Sequence, residues 1–304
     1  MSENYHIGTP GEKWGSQEKQ QWLNEQGKKR SYNEEAEQKI LALTSNFDVD
    51  VYHKLEYSVG SYKLYALKTK NWDASKPSIL VTGGVHGYET SGVQGAISFA
   101  QTRALEFAKD FNIVILPCLS PWGYETINRW NPNAVDPNRS FYLDSDCQEL
   151  VAAMKYVYSL NQDFIMHIDL HETTDTDDSE FRPALAAREG IFIDKWGIPD
   201  GFYLVANSNR PHHEFQNYII DAVAKVTHIA PTDPDISILG DDTIKGGVMV
   251  CDSDKEKLCM SLSNAEYTTT TEVYPDSPKT NPQECTLAQV EAIAAGIEYI
   301  KKNK

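Results

Sequence analysis

Basic residues are scarce in this chain, and long apolar runs are absent. It carries 28 Lys and Arg against 44 Asp and Glu in 304 residues, a formal net charge of −16. So acidic a surface repels phosphate backbones, which excludes nucleic acid as an expected partner. No stretch approaches the roughly 20 apolar residues that span a bilayer, so no membrane association is expected. The opening MSENYHIGTPGEKWGSQEKQQWLNEQGKKRSY is polar and lacks the apolar run of a secretory leader, and a cytoplasmic location is expected. C-x-x-C pairs are also missing. The five cysteines (Cys118, Cys147, Cys251, Cys259 and Cys285) are odd in number in a large chain, which argues against a disulfide framework. What is present is ordinary for a globular protein, with 40% hydrophobic and 24% charged residues. The chain is long enough to bury a large core.

Residues 1–50 are expected to form a polar arm and helix packed on the rest, with a short helix from Glu35 to Thr44. Residues 51–304 are read as a single domain. VYHKLEYSV and YKLYALKT alternate apolar and polar side chains, as half-buried antiparallel strands do. SILV (78–81), NIVILPCL (112–119) and FIMHIDL (164–170) are continuous apolar runs that suit strands covered on both faces. TTTTEV (268–273) has strong strand propensity. Between the runs, Val93, Ala96, Ile97, Ala100 and Ala104 recur at helical spacing. Further helices are expected over Glu149 to Leu160, over Asn217 to Val226, and at the C-terminus, where Thr286 and Gln289 read as a capping box. The segment 175–260 is rich in Asp and Gly and is expected to contribute long loops. Buried strands alternating with helices give a parallel or mixed sheet between helical layers, whose ligands sit beyond the carboxyl ends of the strands.

Three polar clusters fall at such ends. His86-Gly87-Tyr88-Glu89 follows SILVTGGV, His171-Glu172 closes FIMHIDL, and Glu272 lies within TTTTEVYP. Histidine and carboxylate at the rim of a buried sheet are costly unless they bind something. Two histidines and one carboxylate, leaving a coordination place for water, make a catalytic zinc set. Gly83-Gly84 permits the tight turn that could bring His86 and Glu89 to one ion. A histidine alone is more often packed or surface-exposed, and His6, His53, His212, His213 and His228 are read that way. His167 shares a strand face with His171 and is read as a core residue behind it or as one that supports the site from outside the ligand set. In the loop NRWNPNAVDPNRSF (128–141), Arg129 and Arg139 offer planar forks suited to a carboxylate or an oxyanion. Part of that loop's signal is simply the turn-forming Asp136-Pro137-Asn138-Arg139.

The ordered set resembles the zinc carboxypeptidase superfamily, which includes carboxypeptidase A-like enzymes and the succinylglutamate desuccinylase and aspartoacylase branch. The set comprises His86-x-x-Glu89, PWGYETINR with Arg129, Asp136-Pro-Asn138-Arg139, Asp169-Leu-His171 and Thr271-Glu272, and it spans residues 79 to 273. The resemblance implies a three-layer α/β/α sandwich around a mixed, largely eight-stranded sheet. It implies one zinc ion held by His86, Glu89 and His171, with Asp136 orienting the first histidine. It further implies Glu272 as general base, Arg129 as the group that polarises the scissile carbonyl, and Asn138 with Arg139 as the grip on a substrate carboxylate. Two features depart from the family. Pro137 stands where Leu or a small residue is usual, and no tyrosine occurs between Tyr218 and Tyr267, where carboxypeptidases keep a mobile one.

The expected reaction is therefore hydrolysis of an amide next to a free carboxylate, by water activated on zinc with Glu272 taking the proton. The expected partners are a peptide, which would make the protein a metallocarboxypeptidase, or an N-acyl amino acid, which would make it a deacylase. A catalytically dead binding protein is the reading from another class, and the presence of Glu272 with all three ligand types argues against it. Asp252 or Asp254 could select a basic side chain, although solvated loop aspartates are the commoner case.

Overall fold

The computed structural model describes residues 5–193, 197–237 and 243–303. The first four residues of the N-terminal arm, and residues 194–196 and 238–242 of the segment expected to form long loops, lie outside the described residues. Among the described residues, ten strands form two sheets. In chain order they are β1 (Phe47–Tyr57), β2 (Gly60–Thr69), β3 (Ser78–Gly83), β4 (Asn112–Leu116), β5 (Phe164–Glu172), β6 (Tyr203–Asn207), β7 (Asp233–Ser237), β8 (Thr243–Ile244), β9 (Val248–Cys251) and β10 (Tyr267–Val273). β7 and β8 make a separate two-stranded ladder. The other eight form one mixed sheet in the order β1-β2-β4-β3-β5-β10-β6-β9. β4, β3, β5 and β10 run parallel at its centre, β2 is antiparallel to both its neighbours, and β6 is antiparallel to β10. The helices are α1 (Ser16–Glu25), α2 (Gln38–Leu41), α3 (Thr90–Thr102), α4 (Ala104–Phe107), α5 (Pro121–Thr126), α6 (Gln148–Ser159), α7 (Arg182–Glu189), α8 (His213–Val223), α9 (Ser253–Glu256) and α10 (Pro282–Asn303). The expected α/β/α sandwich around a mixed eight-stranded sheet is the fold observed.

The side-chain period of two explains the layers. On β3 and β4, Ile79, Val81, Ile113 and Ile115 join one core with α3, α8 and α10, whereas Leu80, Val114 and Leu116 join the other with α6. On β5, Met166, Ile168 and Leu170 take the α3–α10 side. His167, Asp169 and His171 therefore share the opposite face, where Thr82 of β3 donates to Asp169 Oδ1 at 2.6 Å.

Several element boundaries differ from expectation. The C-terminal helix begins at Pro282, four residues before the expected capping box. Asn281 Oδ1 caps it, accepting from the backbone of Gln283 and Glu284. Thr286 instead bonds back to the Pro282 carbonyl, and Gln289 is fully buried, donating from Nε2 to the His171 carbonyl at 2.8 Å. The helix read at Asn217 to Val226 begins four residues earlier and ends at Val223. That read at Glu35 to Thr44 is a π-helical turn (Asn33–Glu37) running into α2. The segment 175–260 holds α7, β6, α8, β7, β8, β9 and α9 besides its loops. The polar N-terminal segment buries Ile7, Trp14 and Trp22 against Trp122, Trp130 and Ala184, because a few aromatic side chains carry large apolar area whatever their neighbours.

Candidate active site

β3, β5 and β10 run parallel and end together, and their carboxyl ends deliver the polar clusters. After β3, Gly84 takes φ +62°, the left-handed conformation that glycine adopts without steric cost. His86-Gly87-Tyr88-Glu89 then turns into α3. Gly87 lies against the backbone at the start of α5, and a Cβ there would lie 2.1 Å from the Tyr124 amide nitrogen. No flexible side chain is available to yield. Gly87→Ala is therefore expected to cost about 1–3 kcal/mol by forcing the turn and α5 apart, measured as a lower urea midpoint.

The turn brings His86, Glu89 and His171 together, all buried, with one donor atom of each within 4.8 Å of the others. Glu89 Oε1 is 2.7 Å from His86 Nδ1, and Glu89 Oε2 is 2.7 Å from His171 Nδ1, the second contact out of line for a hydrogen bond. Each imidazole turns its other nitrogen to a carboxylate: His86 Nε2 to Asp136 Oδ1 at 3.0 Å, and His171 Nε2 to Asp169 Oδ2 at 2.6 Å. A carboxylate accepts only, so these assign the proton to Nε2 and point both Nδ1 atoms at Glu89. Lone pairs facing a buried carboxylate need a proton or a cation between them. Burial opposes charge on His171, but Glu89 and Asp169 together hold its pKa well above the ordinary imidazole value. Burial likewise opposes charge on Glu89, yet the two histidines bring it down to about 2. These are the features of a divalent-cation site: nitrogen and oxygen donors aimed inward, and each histidine fixed from outside by a carboxylate. The residues fit zinc.

Glu272 stands beside His171 on the next strand, in register with it. Its Oε2 accepts from Thr173 Oγ1 at 3.0 Å, and Thr173 in turn bonds the Tyr203 hydroxyl at 2.7 Å. Burial, reinforced by Glu89 and Asp177, pushes the Glu272 carboxyl up to about 8 against the pull of His171. Glu172, next to His171, points to the other side of the sheet and caps α3, accepting from Thr90 N and Ser91 N.

A cavity of 260 Å³ joins these groups. Arg129 borders it, with Nε donating to Asp136 Oδ2 at 3.1 Å and Nη1 to Asp177 Oδ1 at 3.3 Å. Asn138 lies on a 3-10 turn, where its Oδ1 accepts from Cys259 N at 2.8 Å, which leaves its Nδ2 donors to the cavity. Arg139 is half-buried. Among the described residues its hydrogen bond runs from Nη1 to the Asn138 carbonyl at 2.7 Å and none of their carboxylates lies within ion-pair distance. Burial depresses its pKa, with Asp136 opposing. Val205, Met249, Leu258 and Thr270 line the cavity as well, and Phe181 and Leu185 reach it from α7 and the turn before it.

All eight residues singled out from sequence thus fall around this cavity or in the His86–Glu89–His171 donor cluster beside it. Asp169, Thr173, Asp177 and Tyr203 were not singled out for the site. Asp169 was legible from the strand period, being two residues before His171, but the other three are joined by tertiary contact alone. Asp252 and Asp254 lie apart from the cavity lining: Asp252 caps α9, and both meet Asn209. His167 is buried and bonds Thr82.

The donor set is one that could hold a zinc ion, on a mixed α/β sheet. Residues 45–174 match the family model of peptidase M14, the zinc carboxypeptidases. Over that stretch the chain is similar to the zinc carboxypeptidases. Among solved structures it is similar to a candidate metallopeptidase from Shewanella amazonensis (TM-score 0.64, 17% identity, covering 88% of this chain and 91% of that one). It is similar also to a metallo-carboxypeptidase from Burkholderia cenocepacia (TM-score 0.59, 14% identity, 88% and 68% covered). A metallo-carboxypeptidase from Pseudomonas aeruginosa, in complex with (2-guanidinoethylmercapto)succinic acid, gives TM-score 0.59 at 12% identity, with 88% and 68% covered. At these identities the likeness is one of fold. No curated protein matches the chain in sequence. None of the helices among the described residues is long and apolar enough to cross a membrane.

Proposed function

We propose that the protein is a zinc-dependent metallocarboxypeptidase that hydrolyses an amide bond adjacent to a free carboxylate. The observation that carries this reading is the shared cavity. Its lining includes His86 and Glu89 of the donor set, Glu272, and Arg139, which among the described residues has no carboxylate within ion-pair distance. His86, Glu89 and His171 would hold one zinc ion, which when bound supplies Lewis acidity that makes water a nucleophile near neutral pH. Asp136 and Asp169 fix the two imidazoles in the ligating tautomer. Glu272 takes a proton from the attacking water and returns it to the leaving amine. Arg129 donates to the developing oxyanion. Arg139 and Asn138 anchor the substrate carboxylate and so fix the scissile bond.

A cavity of 260 Å³ is small beside the roughly 300–1,000 Å³ of drug-sized ligand sites, which favours a short substrate. An N-acyl amino acid is the second reading on that ground. The test is a panel of N-blocked peptides with free C-termini, their amides, and N-acyl amino acids, assayed with the zinc-loaded chain. Turnover of the free peptides alone supports a carboxypeptidase, and turnover of the N-acyl amino acids alone supports a deacylase. Equal turnover of free and amidated peptides would overturn both. Arg139→Ala is expected to raise KM for the free acids about 10- to 100-fold, the worth of one charge-assisted pair, and to leave amidated compounds unaffected.

A further inference from the structure

Asp177 has no part in the chemistry above, yet it is one of the most fully engaged carboxylates in the molecule. It opens the π-helical turn Asp177–Phe181 that leads into α7, and it is buried. Thr174 N donates to its Oδ2 at 2.8 Å, and the Tyr88 hydroxyl lies 2.9 Å and 3.0 Å from its two oxygens. Arg129 Nη1 reaches Oδ1 at 3.3 Å. Tyr88 belongs to the turn that carries His86 and Glu89. Asp177 therefore ties together that turn, Arg129 and the helix that covers the cavity.

The consequence for Arg129 is geometric. A guanidinium is a rigid plane with five N–H groups. Held at Nε by Asp136 alone, it could swing about that contact. Asp177 holds a second point, Nη1, and two points on different carboxylates fix the plane. Nη2 is left without a protein acceptor among the described residues, in a residue that borders the cavity.

We propose that Asp177 is a positioning residue that locks the Arg129 guanidinium so that its Nη2 edge faces the carbonyl oxygen of the substrate. This rests on Arg129 acting as oxyanion donor. Charge alone predicts the opposite sign. Removing a negative group beside Arg129 would strengthen its field at the oxyanion and speed the reaction. Positioning predicts a loss, because a donor displaced by about an ångström forfeits much of its effect.

The experiment is a double-mutant cycle on the full zinc-loaded chain, with an N-blocked dipeptide bearing a free C-terminal carboxylate as substrate. Asp177→Asn is the main variant. It is isosteric, and its carbonyl oxygen still accepts from Thr174 N. It is expected to lower kcat about 10- to 100-fold, with KM within a few-fold, zinc stoichiometry unchanged, and Glu180→Gln in the same turn without effect. In the Arg129→Ala background, Asp177→Asn is expected to change kcat less than about twofold, because its target is already gone. An equal loss in both backgrounds would assign Asp177 to support of α7 and overturn the proposal, as would a faster Asp177→Asn enzyme. If Arg129→Ala alone left kcat unchanged, the role of Arg129 itself would be wrong and the inference would fall with it. Should Asp177→Asn fail to fold, Tyr88→Phe offers a second reading. It removes the hydroxyl from Asp177 and the longer 3.5 Å contact of that hydroxyl with Arg129 Nη1, leaves the Arg129–Asp177 contact in place, and should lower kcat less than Arg129→Ala does. A loss as large as that of Arg129→Ala would overturn the proposal.

Discussion

Glu272→Gln is expected to keep the fold and the zinc while losing about 10²- to 10⁴-fold in kcat. Its surroundings make the expectation specific. Every other carboxylate near the donor set is already committed. Asp136 serves His86 and Arg129, Asp169 serves His171, Glu172 caps α3, and Asp177 holds Tyr88 and Arg129. Glu272 accepts one hydrogen bond, on Oε2 from Thr173, and among the described residues nothing donates to Oε1. A base needs a free oxygen, and this one has it. The amide of glutamine can still accept from Thr173, and it removes a carboxyl whose charge burial disfavours. The thermal midpoint should therefore hold. Wild-type turnover in this variant, measured alongside zinc content, would show that the proton goes elsewhere.

His86→Ala is expected to leave a folded protein without bound zinc. Three buried donors converge on one point, and removing one leaves Glu89 and His171 facing each other with a void where the third ligand stood. After dialysis against a mild chelator, metal analysis should find about one zinc per chain in the unsubstituted protein and only traces in the variant. Asp136→Asn offers a graded control. It keeps the ligands but weakens the orientation of His86, so zinc affinity should fall only about 10- to 100-fold. Because a ligand that binds only the native state stabilises it, chelation should lower the melting temperature of the unsubstituted protein and leave that of His86→Ala unmoved. Stoichiometric zinc in His86→Ala would refute the ligand set.

The apolar runs around Leu80, Val114 and Ile168 announce buried strands because a strand covered on both faces admits few polar side chains, and that requirement is local. The strand period also puts His167, Asp169 and His171 on one face before any contact is known. The helix starts at Pro282 and His213 were less legible, because a cap such as Asn281 is one side chain among several able to serve. Thr286 and Gln289 imitate a capping box while one bonds within the helix and the other across to the His171 carbonyl.

For the site, the sequence by itself determined the residue types and their order. His86, Glu89, Arg129, Asp136, Asn138, Arg139 and His171 fall within the stretch that matches the zinc carboxypeptidases, and Glu272 lies beyond it. Only the tertiary structure decided which groups are free and which are spent. Thr173, Asp177 and Tyr203 carry no local signal, since an aspartate on a turn reads the same whether it meets water or Arg129. The difference lies in which strand lies beside which. The parallel pairing of β10 with β5 puts Glu272 next to His171, and the turn after β5 swings Asp177 back onto Arg129 and Tyr88. Those contacts join residues far apart in the chain, and no local pattern encodes them.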